Sequence, residues 1–386
     1  MGLPAKIKKT VSFRVTPPGS ADQVVGTVKT LDHGVKVHDT VWMRDKTHVF
    51  VKGVVVSGVD DSGTLGIELQ GGSALVRQRP DEVYPANQPN DSPDDTTALI
   101  HLNEPCVLDA IKVRYERNDI YAYTGSILVA LNPFKPLDIY DEAAMAHFTK
   151  ATSATPPSPH VYSVAEKAYT HMRRTGLNQA IIMSGESGAG KTETTKHVMK
   201  YLARRAAKTA NLETLSQAII ESNTITEAFG NAKTARNANS SRFGKYLQVF
   251  FSTSGAVAAG GLQTYLLERP RVSQIAKDER SYHVFYELLA GASDTKRRIL
   301  HLDKAVANDF RVLKSSGCLS IDGVSDAAKF SDLHAGLQKV GLSPTTCDQI
   351  YAVVAGVMVS IPDAGVEGEP PGLPSLLLAS ALLLKF

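Results

Sequence analysis

The sequence predicts an α/β fold: a mixed sheet flanked by helices, preceded by a small antiparallel β-barrel. Three observations carry that prediction. An apolar run, Ala180, Ile181, Ile182 and Met183, leads into a turn holding Gly185, Gly188 and Gly190, after which Lys191 and Thr192 open a helical pattern. Residues 35–84 string short β-branched runs between turn residues, the spacing of a compact antiparallel unit. Residues 99–289 interleave helical and strand-like periodicities, as α/β domains do. With 386 residues and 43% hydrophobic content, the chain has material for two or three buried cores.

The glycine-rich turn has the chemistry of a phosphate-binding loop of the P-loop NTPase type. Gly185, Glu186, Ser187, Gly188, Ala189, Gly190, Lys191 and Thr192 fit the spacing Gly-x-x-x-x-Gly-Lys-Thr. Successive backbone N–H groups must converge on phosphate oxygens, and at several of these positions only glycine takes up the required dihedrals. The helix N-terminus adds partial positive charge. Lys191 reaches the outer phosphates as a mobile point charge, and the Thr192 hydroxyl stands where a Mg²⁺ ligand is needed.

In chain order, residues 1–34 are mixed in pattern, broken by Pro17, Pro18 and Gly19, and read as an extension. Residues 35–85 form the predicted barrel. Its runs include Val41-Trp42 and Val54-Val55-Val56, and turns fall at Asp60-Asp61-Ser62-Gly63 and Gly71-Gly72. Residues 80–95 are rich in Pro, Asn and Asp and read as a linker into a region spanning 86–386. There, 99–117 has helical spacing, and 120–131 reads as two strands about the Thr124-Gly125 turn. Residues 132–140 form a proline-stiffened loop. Residues 162–174 read as an amphipathic helix stopped at Gly176. After the phosphate loop come helices at 192–210 and 215–229. A polar loop follows at 231–245, then strands at 247–252 and 262–267, a helix at 281–289 and a mostly helical remainder. The apolar stretch 373–384 reads as a core helix, too short for the roughly 20 residues that span a bilayer.

Composition narrows the partners. Net charge is +3, from 42 Lys+Arg against 39 Asp+Glu, so no global field argues for nucleic acid or an anionic membrane. Cys106, Cys318 and Cys347 fit no metal or redox spacing, and a reducing compartment is the expectation. The histidines show no metal spacing and read as structural.

A second polar stretch runs Asn237, Ala238, Asn239, Ser240, Ser241, Arg242, Phe243, Gly244, Lys245. Two serines followed by an arginine suit a γ-phosphate sensor: one hydroxyl for Mg²⁺, one for the attacking water, and a guanidinium to latch onto a carboxylate. By residue type alone the stretch also reads as a serine-rich surface loop.

Together these blocks resemble the myosin motor head. The phosphate loop matches that family's letter for letter. Residues 237–245 resemble its switch I, with Ala238 where the family often has a polar residue. Asn132 and Pro133 with Tyr140 resemble its adenine loop. Leu102-Asn103-Glu104-Pro105, Leu266-Leu267-Glu268-Arg269 and residues 279–291 are similar to further family blocks, all in family order. Kinesins share the phosphate loop and a Ser-Ser-Arg switch, but Phe243-Gly244-Lys245 and Asn132-Pro133 point to myosin. The likeness is strong to about residue 291 and weak after it. No counterpart of switch II is found, so a motor head truncated before that block is the expectation.

The resemblance implies ATP and Mg²⁺ as cofactors. It implies that Lys191 neutralises the β/γ-phosphates and that Thr192 and Ser241 hold the metal. Ser240 would position the lytic water, Asn237 would contact phosphate, and Arg242 would pair with a switch II glutamate. Asn132, Pro133 and Tyr140 would hold the adenine, although Tyr140 also reads as ordinary core packing. It further implies actin filaments as partner in the complete motor, no nucleic acid, no membrane span, light chains not encoded here, and a cytoplasmic, cytoskeletal location in a myosin complex. The alternative is a truncated nucleotide-binding or interaction protein without motor output.

Overall fold

The computed structural model describes residues 10–16, 35–72, 74–150, 157–206 and 211–360. The apolar stretch 373–384 lies outside them. The chain divides into two compact units, Met1–Leu202 and Ala203–Phe386.

The first unit opens with β1 (Thr10–Thr16), within the segment that the sequence reading treats as an extension. The alternation Val11, Phe13, Val15 in that stretch is a strand signal of period two. Five strands follow: β2 (Thr40–Asp45), β3 (Val49–Ser57), β4 (Leu65–Leu69), β5 (Leu75–Gln78) and β6 (Val83–Pro85). They pair antiparallel in the order β5-β4-β3-β2-β6. Val41, Val55, Ile67 and Val83 are fully buried between them, each worth about 1.5–3 kcal/mol of burial. Among the described residues no ladder joins β5 to β6. The five strands thus form the antiparallel unit that the sequence predicts, without a ladder that closes it into a barrel among these residues. Gly53 permits the close β3/β4 approach, since a Cβ there would lie 2.5 Å from Ile67 Cγ2.

The rest of the unit assembles around a four-stranded sheet. Its elements are α1 (Glu104–Glu116), β7 (Tyr121–Thr124), β8 (Ile127–Leu131), α2 (Glu142–Lys150), α3 (Val161–Thr175), β9 (Ala180–Gly185) and α4 (Lys191–Ala206). Helix α1 starts where the Asn103 side chain accepts from Cys106 N–H, with Pro105 in the first turn. Its buried Arg114 donates to Tyr121 O (3.0 Å) and to Asp94 (2.8 Å), pinning the helix to β7. Helix α3 ends at Gly176, whose φ of 71° suits glycine.

The sheet order is β7-β8-β1-β9. Strand β1 pairs antiparallel with β8 from Thr10↔Leu131 to Arg14↔Ile127, and with β9 from Val11↔Gly185 to Thr16↔Ala180. The α/β class holds, and the ladders of this sheet are antiparallel among the described residues. Among the described residues strand β9, which leads into the glycine-rich loop, lies at the edge of this sheet, with Ile182 56% exposed.

The second unit contains α5 (Asn211–Gly230), β10 (Asn231–Thr234), β11 (Asn237–Ser241), β12 (Gly244–Phe251), β13 (Val257–Tyr265), α6 (His283–Gly291), α7 (Asp294–Ile299), α8 (Arg311–Lys314), α9 (Asp326–Lys339) and α10 (Pro344–Val359). Its core gathers Tyr282, Leu288, Leu302, Leu313, Leu333 and Tyr351, all essentially unexposed. Arg280 is fully buried, binding both Asp326 oxygens at 3.0 Å and lying 3.7 Å over the Tyr286 ring. No helix among the described residues is long and apolar enough to cross a membrane.

The stretch 231–245 departs from its predicted loop. Strands β10 and β11 form a hairpin with partners Asn231↔Ser241, Ala232↔Ser240 and Thr234↔Asn237. Asparagine and serine are poor strand formers. Here they are paid for by side-chain bonds that no periodic pattern announces.

Candidate functional site

In the first unit, β9 ends at Gly185 and α4 begins at Lys191, so the loop between them is set by a strand and a helix. Gly188 (φ 77°) and Gly190 (φ 101°) take backbone conformations that side chains disfavour. A Cβ on Gly190 would meet nothing within 4 Å, so its backbone angle, not crowding, calls for glycine. Ala189 N–H donates to Glu186 O (3.1 Å), closing the turn. Lys191 Nζ donates to Gly185 O (2.6 Å) and Glu186 O (2.9 Å), tying the helix start to the strand end. Burial holds its ammonium below the usual lysine range.

Asn132 joins this loop. Its amide donates to Gly188 O (2.8 Å), while its carbonyl accepts from Phe134 N–H (2.9 Å). The Asn132-Pro133 segment is thereby held against the phosphate loop. Tyr140 stacks on His197 of α4 with centroids 3.6 Å apart and 11° between planes, and its hydroxyl meets that of Tyr121 at 2.8 Å. Burial raises its pKa, and His160 and Tyr162 complete the aromatic surround. His197 has no role in the sequence reading beyond a structural one. Its stacking follows from its position in the second turn of α4, a signal visible only once α4 and the 132–140 loop are brought together.

These residues suit a phosphate chain. Three glycines at positive φ, Gly185, Gly188 and Gly190, shape the loop, and the 16-residue α4 presents its first-turn N–H groups at the loop. Lys191 is anchored beside them, and Thr192 stands half-buried in the same turn.

The second unit holds the other predicted site residues. Ser240 is buried and Ser241 exposed. Asn237 closes the hairpin turn, donating its N–H to Thr234 Oγ1 (3.2 Å). Arg242 donates through NH1 to Ser240 Oγ (3.2 Å) and through Nε to Glu268 (2.6 Å). Glu268 also accepts from Arg271 (2.6 Å), which reaches Glu279 (2.9 Å). Burial pulls the Glu268 carboxyl up, but the hydrogen bonds from Arg242 and Arg271 outweigh it and hold the carboxyl below the usual range.

The sequence reading assigns Arg242 a switch II carboxylate, whereas in this unit its partner is Glu268. The signal was a charged pair, Glu268-Arg269, after the apolar Leu266 and Leu267. Thr192 belongs to one unit and Ser241 to the other. Among the described residues, no group of three or more His, Cys, Asp or Glu side chains is placed to hold a metal.

A glycine-shaped loop with its anchored lysine, and a Ser-Ser-Arg strand latched by a carboxylate, occur in one chain. Residues 93–361 match the family model described as myosin head (motor domain). The chain belongs to the myosin motor-head family. It is 39% identical over 330 residues to Myosin-13 of Arabidopsis thaliana, covering 84% of this chain and 22% of that protein. It is 40% identical over 326 residues to Myosin-6 of the same plant, covering 82% and 21%. To Myosin-3 it is 42% identical over 285 residues, covering 74% and 24%. The chain thus spans between a fifth and a quarter of the length of these myosins. Strands β2–β6 lie before the matched residues 93–361 of the motor-head model.

Proposed function

We propose that this chain is the nucleotide-binding portion of an actin-based motor that couples ATP hydrolysis to movement along actin filaments in the cytoskeleton. The observation that carries the reading is the loop of residues 185–192: positive-φ glycines between a strand and a helix, with Lys191 fixed at its mouth. In this reading the loop N–H groups of residues 186–192 bind the phosphates and Lys191 neutralises the outer ones. Asn132 and Pro133, tied to Gly188, hold the adenine side together with Tyr140.

Asn237 would contact phosphate and Ser240 would orient water, with Arg242 keeping Ser240 in place through its NH1 bond. Thr192 and Ser241 would hold Mg²⁺, which supplies charge neutralisation and a fixed geometry for the phosphate oxygens. Catalysis of this class is mostly positioning and electrostatics, so each residue contributes in part.

The test is a titration of the 386-residue chain with a fluorescent ATP analogue in Mg²⁺. Lys191→Ala removes a cation facing the phosphates, and affinity is expected to fall by about a hundredfold, since bonds to charged groups are worth ~1.5–3 kcal/mol each. Equal affinities for wild type and variant would refute the site.

A further inference from the structure

The hairpin β10–β11 is gripped along its length by residues 278–283. At its tip, Glu279 Oε1 accepts from Ala235 N–H (3.1 Å). Midway, Arg280 N–H donates to Lys233 O (3.0 Å), and Ala232 and Tyr282 form an antiparallel bridge. Lys233 Nζ donates back to Asp278 O. These contacts hold β10. A further contact reaches β11, the strand that carries Ser240 and Ser241: His283, the first residue of α6 and 9% exposed, places Nε2 3.1 Å from Asn239 Oδ1.

The bond has a defined direction. The Asn239 amide nitrogen donates to Glu227 Oε2 (3.2 Å), and the Asn239 carbonyl oxygen accepts from Asn231 Nδ2 (2.9 Å). The carboxylate on one side and the amide donor on the other fix which way Asn239 points, so His283 must present an N–H to it. Asn239 is itself exposed, and water competes for its amide. The donor on α6 is buried, so it keeps its bond out of that competition.

We propose that His283 is a positioning residue for the Ser240-Ser241-Arg242 strand, donating a hydrogen bond to Asn239 that holds β11 in its observed register, from which Ser241 would help to hold Mg²⁺. This rests on the nucleotide reading above. The measurement is the gain in affinity for a fluorescent ATP analogue on adding Mg²⁺ over an EDTA control, in the wild-type chain and its variants.

His283→Leu, which keeps bulk and loses the donor, is expected to lower that gain about five- to tenfold, the worth of one hydrogen bond. His283→Gln, which keeps an N–H, is expected to stay within about twofold of wild type. Binding without Mg²⁺ is expected to fall by less than the Mg²⁺-dependent gain in both, because the phosphate loop is intact and only Asn237 of β11 contributes to it.

Asn239→Ala changes an exposed side chain and opens no cavity in the core, and so gives a second variant should His283→Leu prove unstable. It removes the His283 bond together with those to Glu227 and from Asn231, so its loss is expected to be at least that of His283→Leu, and the double variant is expected to be no worse than Asn239→Ala alone. Equal losses in His283→Leu and His283→Gln, wild-type gain in His283→Leu or Asn239→Ala, or additive losses in the double variant would each overturn the positioning role. Absence of Mg²⁺-dependent binding by the wild-type chain would instead overturn the nucleotide reading, and the positioning role with it.

Discussion

The phosphate loop of residues 185–192 and the hairpin of residues 231–241 are built on opposite principles. The loop is backbone architecture. Gly188 and Gly190 supply dihedrals that side chains avoid, and the Lys191 ammonium binds main-chain carbonyls. The hairpin is side-chain architecture. Asn231, Asn237, Asn239, Glu227 and His283 hydrogen-bond one another or the strand, and Arg242 is latched to Glu268. A site made of dihedrals is written in a short run of residues, while one made of side-chain partners is scattered over the chain. The two should therefore fail under different substitutions.

The largest expected effect is at the hairpin's latch. Glu268→Ala leaves Arg242 and the buried Arg271 without their shared carboxylate. The second unit is expected to lose about 3 kcal/mol, the low end for breaking a buried ion pair, because Glu268 is partly exposed. Urea unfolding followed by circular dichroism measures it, and a change below about 0.5 kcal/mol would break the comparison by showing that the hairpin region does not depend on its side-chain partners.

Next comes a pH dependence that belongs to the side-chain-built half. Glu287 sits one turn beyond His283 on α6, buried. Burial first, then Asp326 and Asp332, push its carboxyl up to about 7 against the opposing pull of Arg280 and Lys329. His283 is held neutral, its pKa lowered to about 4 by burial and by Arg280 and Lys329. A carboxyl raised from its unfolded value of about 4.3 to about 7 is protonated in the folded state while the unfolded chain has already ionised. Its contribution to stability therefore falls as pH rises between those values and is constant above them. His283 works in the opposite sense, losing stability as pH falls from about 6.5 toward 4. Glu287→Gln isolates the first term: relative to wild type it is expected to be more stable by roughly 2–3 kcal/mol at pH 8 than at pH 4. A pH-independent difference in unfolding free energy would remove Glu287 from the account.

The loop makes smaller and complementary predictions. Gly190→Ala places a side chain at φ 101°, and the strain, ~1–3 kcal/mol, should appear as about a tenfold loss of nucleotide affinity with helix content unchanged. Unaltered binding in the same titration would show that the loop tolerates other dihedrals. Smallest is Ser187→Ala, where the backbone N–H survives. Affinity is expected to stay within about threefold of wild type, and a tenfold loss would show that the loop also relies on a side chain.

What the sequence by itself determined is what short-range chemistry determines. The glycine spacing and Lys191-Thr192 specify the turn between β9 and α4. Gly176 stops α3, and alternation about Thr124-Gly125 yields β7 and β8. The ordered blocks place the chain in its family. These signals are local, because dihedrals, caps and periodic faces act within a few residues. Only the tertiary structure decided the rest. Strand β1 lies between β8 and β9, although its alternating residues gave no hint of a partner. Among the described residues strands β2–β6 pair without a ladder between β5 and β6, since pairing of end strands is not encoded in their alternation. Residues 231–241 become a hairpin because Asn239 finds partners on α5, β10 and α6, and Arg242 finds Glu268. Partners far apart in sequence are chosen by how elements pack, and a hydrogen bond or ion pair gains its strength from a burial that exists only after that packing.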